Sequence, residues 1–288
     1  MFKVFIQYLL NRFQLIPLSL LVLSDVLVIV HIAETKETAW LQGIAVFLFV
    51  MLYLLNNRVA DDKRDFEFDN KHHQNRALQS GKLSLKFLNR IGYICLTCML
   101  ALSFFFGKTA MLAITPVVLF AYWSKLDFSL PKSFKERQFF LYNFMNMLQM
   151  LLLQSFMYFS IMNIFTLKPI MWLHIGFVFV LSLQVEVTRK IQPEKTPAFD
   201  TYSDRLGMRG ALLLWGFLGI IALTLFSILT SELSISGFSI NIALICCVAL
   251  LSLGGGAYYF LKSKSAEGLF WLTVIMTYIG QNLVLIYG

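Results

Sequence analysis

Long apolar runs recur along this chain with so little between them that no water-soluble core could use them all. They cover 14–32, 39–56, 88–106, 110–124, 138–163, 169–186, 210–230, 238–261 and 268–287. Each reaches or approaches the roughly 20 residues that a helix needs to cross a hydrocarbon layer of about 30 Å. Lipid offers no partners to backbone N–H and C=O groups, so such runs must satisfy them internally, as helices. Composition agrees: 58% of the residues are hydrophobic, 28 are Phe, and 14% are charged, against about a quarter charged in soluble domains. The reading is an all-α membrane protein of nine transmembrane helices forming one domain over 1–288.

The charges give an orientation. Lys and Arg collect in short cytoplasmic loops. With nine spans and a cytoplasmic amino terminus, all 24 basic residues except Lys36, Lys108 and Lys168 fall on the inner side. The expected location is therefore the cytoplasmic membrane, with the carboxyl terminus opposite. The net charge of +8 reads as this topological bias. Its basic residues are spread over five segments, which speaks against a nucleic-acid patch. The first apolar run leads into "HIAETKETAW" with no small-residue cleavage site, so it is read as a retained span. Cys95, Cys98, Cys246 and Cys247 sit inside apolar runs and read as packing residues.

Two loops on the expected inner side are acidic. In "LNNRVADDKRDFEFD" (55–69), Asn57, Asp61 and Asp65 recur every four residues, with Asp69 continuing the pattern. Steps of four keep side chains near one helix face. The second loop, "QVEVTRKIQPEKTPAFDTYSDRLG" (184–207), carries Glu186, Glu194, Asp200 and Asp204 beside Arg189 and Lys190. Carboxylates and an amide at the ends of spans are costly unless paired or lining a cavity. Acids accompanied by Arg and Lys suit a metal-bridged diphosphate, because oxygen ligands fit Mg²⁺ and substrate phosphates complete its shell. A carboxylate about 6 Å from one phosphate charge repels it by roughly 2.8 kcal/mol at an effective dielectric of 20. Cations must therefore intervene, with Arg76, Arg189 and Lys190 available for the remaining phosphate oxygens. Within the spans, Asp25 is either a site residue or paired with Ser24 or a polar residue of the fifth span, which offers Asn143, Asn146 and Gln154.

These residues resemble the UbiA superfamily of intramembrane prenyltransferases over essentially the whole chain. Asn57-x-x-x-Asp61-x-x-x-Asp65 is similar to the first aspartate-rich motif of that family, "NRALQSGKLS" (75–84) to its "NRPLPSGRIS" stretch, and "YWSK" (122–125) to its Tyr-x-x-Lys. The second motif departs from the family's D-x-x-x-D: Glu186 stands in a glutamate-like position, Arg189-Lys190 follow where an acid is common, and Asp200-Thr-Tyr-Ser-Asp204 comes later. The Arg-Pro pair of many quinone-pathway relatives is missing from "NRFQLIPL".

The resemblance implies nine helices around a central cavity, with both motifs capping its cytoplasmic end. It implies Mg²⁺-dependent transfer of an isoprenoid from a prenyl diphosphate to a lipophilic or aromatic acceptor, in contact with membrane lipid. Asn57, Asp61 and Asp65 would hold one metal, and Glu186 with Asp200 or Asp204 the other, so that Asp61 and Glu186 meet over one cavity. Arg76, Tyr122, Lys125, Arg189 and Lys190 would grip phosphate, with Asp61, Asp65, Tyr122 and Lys125 acting in catalysis. Two alternatives stay open: a UbiA-type terpene cyclase that needs no acceptor, and a non-enzymatic membrane carrier.

Overall fold

A computed structural model describes residues 2–33, 39–193 and 200–288; Glu194 and Pro197 of the second acidic loop lie outside them. The regular structure of the described residues is helical, in one short 3-10 turn, Asp127–Ser129, and thirteen α-helices. They are α1 (Phe2–Asn11), α2 (Leu15–Ile32), α3 (Ala39–Arg64), α4 (Phe66–His72), α5 (Leu85–Phe105), α6 (Lys108–Lys125), α7 (Lys132–Arg137), α8 (Phe139–Met147), α9 (Gln149–Met162), α10 (Pro169–Arg189), α11 (Tyr202–Glu232), α12 (Gly237–Leu261) and α13 (Lys264–Tyr287).

Eight stretches among them are long and apolar enough to cross a membrane, α8 and α9 together making one. The sequence reading has nine. The difference is α6, which has 18 residues but begins and ends on lysine, and these charges dilute its apolar centre. The fifth run, 138–163, is interrupted at Leu148 and continues as α9.

The helices fall into two compact units, 1–166 and 167–288. In the first, α3 is the central element and packs against α2, α5, α6 and α9. Its buried centre is aromatic: the Phe49 ring lies 4.5 Å from Phe156 and 6.2 Å from Phe106, and all three side chains are fully buried. The 26 residues of α3 extend about 39 Å, some 9 Å more than the hydrocarbon layer. The excess carries Asn57 to Arg64 out of the apolar run on rigid helix. In the second unit, α10 packs on α11 and α12 on α13.

Local chemistry sets the boundaries. Ser84 accepts from the Phe87 N–H at the start of α5, and Thr201 with Asp204 forms a capping box at the start of α11, each satisfying donors that the first turn leaves free. Within α11, Gly207 adopts φ 71° and ψ 165°, a conformation essentially reserved for glycine, and it breaks the first turn from the long helix that follows.

Candidate functional site

Residues 57–69 present two polar faces. On the first, Asn57, Asp61 and Asp65 meet groups from α6 to α9. Arg64 lies among three carboxylates, 3.1 Å from Asp61, 3.3 Å from Asp65 and 3.6 Å from Asp127. Lys135 stands 3.6 Å from Asp65, and Lys125 is within electrostatic reach of Asp61. The Tyr142 hydroxyl donates to Asp127. Behind them, the Gln149 carbonyl accepts from Asn57 Nδ2 at 2.8 Å and from the Tyr53 hydroxyl at 3.0 Å. That leaves Asn57 Oδ1 buried with no partner among the described residues. The carboxylates remain accessible, with the Asp61 side chain 43% exposed. Burial tends to raise the Asp65 carboxyl, but the Arg64 and Lys135 charges outweigh it and hold Asp65 below the ordinary carboxylate range.

The second face is closed. Asp62 accepts from Arg12 Nη2 and Arg58 Nη2, both at 2.9 Å, and from the Tyr8 hydroxyl at 2.8 Å. Asp69 pairs with Arg76 and, at 3.5 Å, with Arg12. Both side chains are 4% exposed. Burial, then the Asp62 charge, pushes the Tyr8 phenol far above its ordinary value, so it stays protonated and donates.

This arrangement corrects the expectation that Asp69 continues the Asn57, Asp61, Asp65 row. At about 100° per residue, three steps of four accumulate some 120° of drift, whereas seven residues return to within about 20°. The backbone stays close to helical across Asp65, whose N–H bonds to Asp61 O and whose carbonyl accepts from Asp69 N–H, both at 2.8 Å. Asp69 therefore falls in line with Asp62, and Arg76 goes with it.

The remaining expected residues are placed as follows. Tyr122 is 64% exposed and makes no hydrogen bond among the described residues. In the second unit, Glu186 is held by its own helix end, 2.8 Å from Arg189 and 3.0 Å from Lys190. Asp204 is largely engaged in capping: its Oδ2 accepts from Thr201 Oγ1 at 2.6 Å and from Thr201 N–H at 3.1 Å. Asp200 is half-buried. The end of α10 is stitched to the start of α11 by Tyr202 N–H to Lys190 O at 2.9 Å and Gln192 N–H to Ser203 Oγ at 2.8 Å. Deeper in the first unit, Gln154 donates to the buried Asp25, one of the two alternatives that the sequence leaves open for that aspartate.

Sequence reasoning missed Asp127, Tyr142 and Gln149. A signal existed for Asp127, which lies two residues beyond Lys125 of "YWSK". Gln149 and Tyr142 come from the fifth apolar run, and nothing in their spacing relates them to Asn57 or Asp61.

The residues of the open face fit a hard divalent cation. An unpartnered amide oxygen and two accessible carboxylates on one helix face are the oxygen donors that Mg²⁺ takes while retaining water. No three His, Cys, Asp or Glu side chains among the described residues converge on a ready-made ion site. Here Arg64 and Lys135 supply the positive charge that the carboxylates need.

No family model and no curated protein matches this chain. Solved structures do match in fold. A UbiA homologue from Aeropyrum pernix K1 superposes with a TM-score of 0.68 over 92% of this chain and 96% of its own, at 14% identity. A digeranylgeranylglyceryl phosphate synthase matches at 0.60 over 99% of both chains, at 20% identity. A UbiA homologue from Archaeoglobus fulgidus, bound to GPP and Mg²⁺, matches at 0.55 over 94% and 97%, at 14% identity. The chain thus shares the all-helical fold of these UbiA homologues and of the synthase.

Proposed function

We propose that this chain is a Mg²⁺-dependent UbiA-type prenyltransferase, a single catalytic domain that moves an isoprenoid from its diphosphate to a lipophilic or aromatic acceptor inside the membrane. The observation that carries the reading is the Asn57, Asp61, Asp65 face, emerging from an apolar helix with a buried amide oxygen that has no partner among the described residues, in a fold shared with a homologue bound to GPP and Mg²⁺.

When bound, Mg²⁺ would neutralise charge on the departing diphosphate. The chain's own residues do the rest. Gln149 fixes the Asn57 amide so that Oδ1 faces away from it. Asp65 is kept ionised by Arg64 and Lys135, Asp61 lies 3.1 Å from the same Arg64, and both carboxylates are placed to act as ligands. Arg64, Lys135 and Lys125 are positioned to exchange carboxylate for phosphate oxygens, Arg64 with a planar fork. Tyr122, exposed on α6 three residues before Lys125, is assigned a supporting role on the same ligand. Arg76 is left out of the diphosphate site because it is committed to buried Asp69. In the second unit, Glu186 is assigned to a second metal with Asp200 or Asp204, and Arg189 and Lys190 would release Glu186 to take phosphate. Asp200 is the better candidate of the two, since Asp204 already caps α11. The amino terminus and both acidic segments are assigned to the cytoplasmic side from the distribution of basic residues.

The test is incubation of purified protein with C10 to C20 prenyl diphosphates and Mg²⁺, with and without membrane lipid or phenolic extract. Transfer predicts slow diphosphate release alone and acceleration by an acceptor that gains prenyl mass. A defined cyclic terpene formed without acceptor, at the rate of diphosphate release, would replace transfer by cyclisation. Binding without release would leave a carrier.

A further inference from the structure

Asp127 stands in the open face without belonging to the Asn57, Asp61, Asp65 row. It comes from the turn between α6 and α7, and it is neither a ligand of that row nor a cation for phosphate. Its carboxylate accepts from the Tyr142 hydroxyl and lies 3.6 Å from Arg64 Nε. Its side chain is 38% exposed.

The turn is built to hold it there. Asp127, Phe128 and Ser129 have φ of 50°, 58° and 58°, in the left-handed region that residues other than glycine seldom occupy and a bulky one almost never. Such a backbone persists only where its surroundings enforce it. Phe128 supplies the enforcement. It is 2% exposed, and its ring stands edge-on to Trp123 at 5.2 Å, Phe120 at 5.7 Å and Tyr142 at 5.9 Å. With that ring seated, the neighbouring carboxylate is fixed beside Arg64.

All three nitrogens of the Arg64 guanidinium are engaged. Nη2 is 3.1 Å from Asp61, Nε is 3.3 Å from Asp65 and 3.6 Å from Asp127, and Nη1 donates to the Ser124 carbonyl at 3.4 Å. A phosphate gains this planar fork only by displacing oxygens already on it. The charges of the face balance: Asp61, Asp65 and Asp127 against Arg64, Lys125 and Lys135. Arg58 is within electrostatic reach of Asp65 but is paired with Asp62. On becoming metal ligands, Asp61 and Asp65 would give up Arg64 and have their charge neutralised. Asp127 has only the neutral Tyr142 hydroxyl to fall back on, so its charge stays beside the arriving phosphate and repels it.

We propose that Asp127 is a resident competitor of the diphosphate: it holds Arg64 while the site is empty and weakens the grip on substrate and on pyrophosphate product alike, which favours product release. It acts through Arg64 and is a positioning residue. The inference rests on the reading of the open face as a diphosphate site.

Calorimetric titration of the purified protein with inorganic pyrophosphate and Mg²⁺, beside steady-state release from geranyl diphosphate, tests it. Asp127→Asn removes the charge while its amide oxygen can still accept from Tyr142. Pyrophosphate should bind about tenfold tighter, the repulsion of one charge about 6 Å away at an effective dielectric of about 40, as suits a partly exposed group. KM for geranyl diphosphate should fall, kcat/KM should rise, and product inhibition by pyrophosphate should strengthen, whereas loss of a merely structural residue would lower kcat/KM. Asp127→Glu should keep the affinity of the wild type. Phe128→Ala, which unseats the turn and leaves the charge, should tighten pyrophosphate binding in the same direction. Unchanged or weaker pyrophosphate binding by folded Asp127→Asn protein would overturn the competitor and leave the transferase reading standing. A wild-type protein that binds no pyrophosphate would overturn both.

Discussion

Asp61 and Asp62 are neighbours in sequence and differ in almost everything else. Asp61 is 43% exposed at the side chain and shares its arginine with two other acids. Asp62 is 4% exposed and saturated by two arginines and a tyrosine. One residue of helix, about 100° of rotation, separates a face with ligand capacity to spare from a face with none. Burial of a charge is tolerated only when it is fully paired, so such a group is spent on structure. A carboxylate with accessible lone pairs and a cation shared with other acids can exchange partners. The contrast assigns function to the less satisfied face.

The largest effect should come from the closed face. Asp62→Ala strands Arg12 and Arg58 beside a void, and breaking a buried pair costs about 3–5 kcal/mol. A fall in the unfolding temperature large enough to reduce the yield of folded protein is expected. An Asp62→Ala protein as stable as the wild type would erase the distinction between the faces.

Next is Asp61→Ala. Diphosphate release should drop at least a hundredfold, about 2.7 kcal/mol of barrier, while the unfolding temperature stays close to that of the wild type. Near-normal turnover would remove Asp61 from the site.

Gln149→Leu should act on the same face at one remove. Freed from its acceptor, the Asn57 amide can rotate, and losing such outer-shell support typically weakens metal binding by about tenfold or more. The readout is the Mg²⁺ concentration for half-maximal release, with Gln149→Glu, which keeps the acceptor, retaining most of the affinity. Equal metal dependence in the wild type and Gln149→Leu would confine Gln149 to packing.

The smallest effect concerns pH. The folded-state carboxyl of Asp65 is lowered, so its contribution to stability is complete above the unfolded value of about 3.9 and is lost as pH falls through the lower folded value. Arg64→Gln removes the first of the charges that lower it, so the acid limb of stability should move to higher pH. A limb that stays in place would show that Arg64 does not set the ionisation of this face.

The sequence makes the spans legible because lipid dictates length and polarity together, and only α6, blunted by Lys108 and Lys125, falls short. Asn57, Asp61 and Asp65 are legible as one face because two steps of four drift about 80°, less than a quarter turn. Asp69 is misread because a third step drifts too far, an error inherent in extending a period of four along a helix of 3.6 residues per turn. The pairing of Asp62 with Arg12, fifty residues earlier, and of Asn57 with Gln149, ninety-two residues later, is set by packing and leaves no local pattern. In the second acidic segment, Asp204 reads as a metal ligand from spacing, whereas Thr201 three residues before it also marks a helix start.

The central claim is that the accessible acids of this helix take a divalent metal together with diphosphate while the clamped acids do not. Mn²⁺ binding in the presence of a non-reacting prenyl diphosphate analogue, followed by electron paramagnetic resonance, measures it most directly in the wild type, Asp61→Asn and Asp69→Asn. The account predicts at least a tenfold loss of affinity for Asp61→Asn, and wild-type affinity for the Asp69→Asn protein that remains folded. Undiminished Mn²⁺ binding by Asp61→Asn, or an equal loss in both variants, would contradict it.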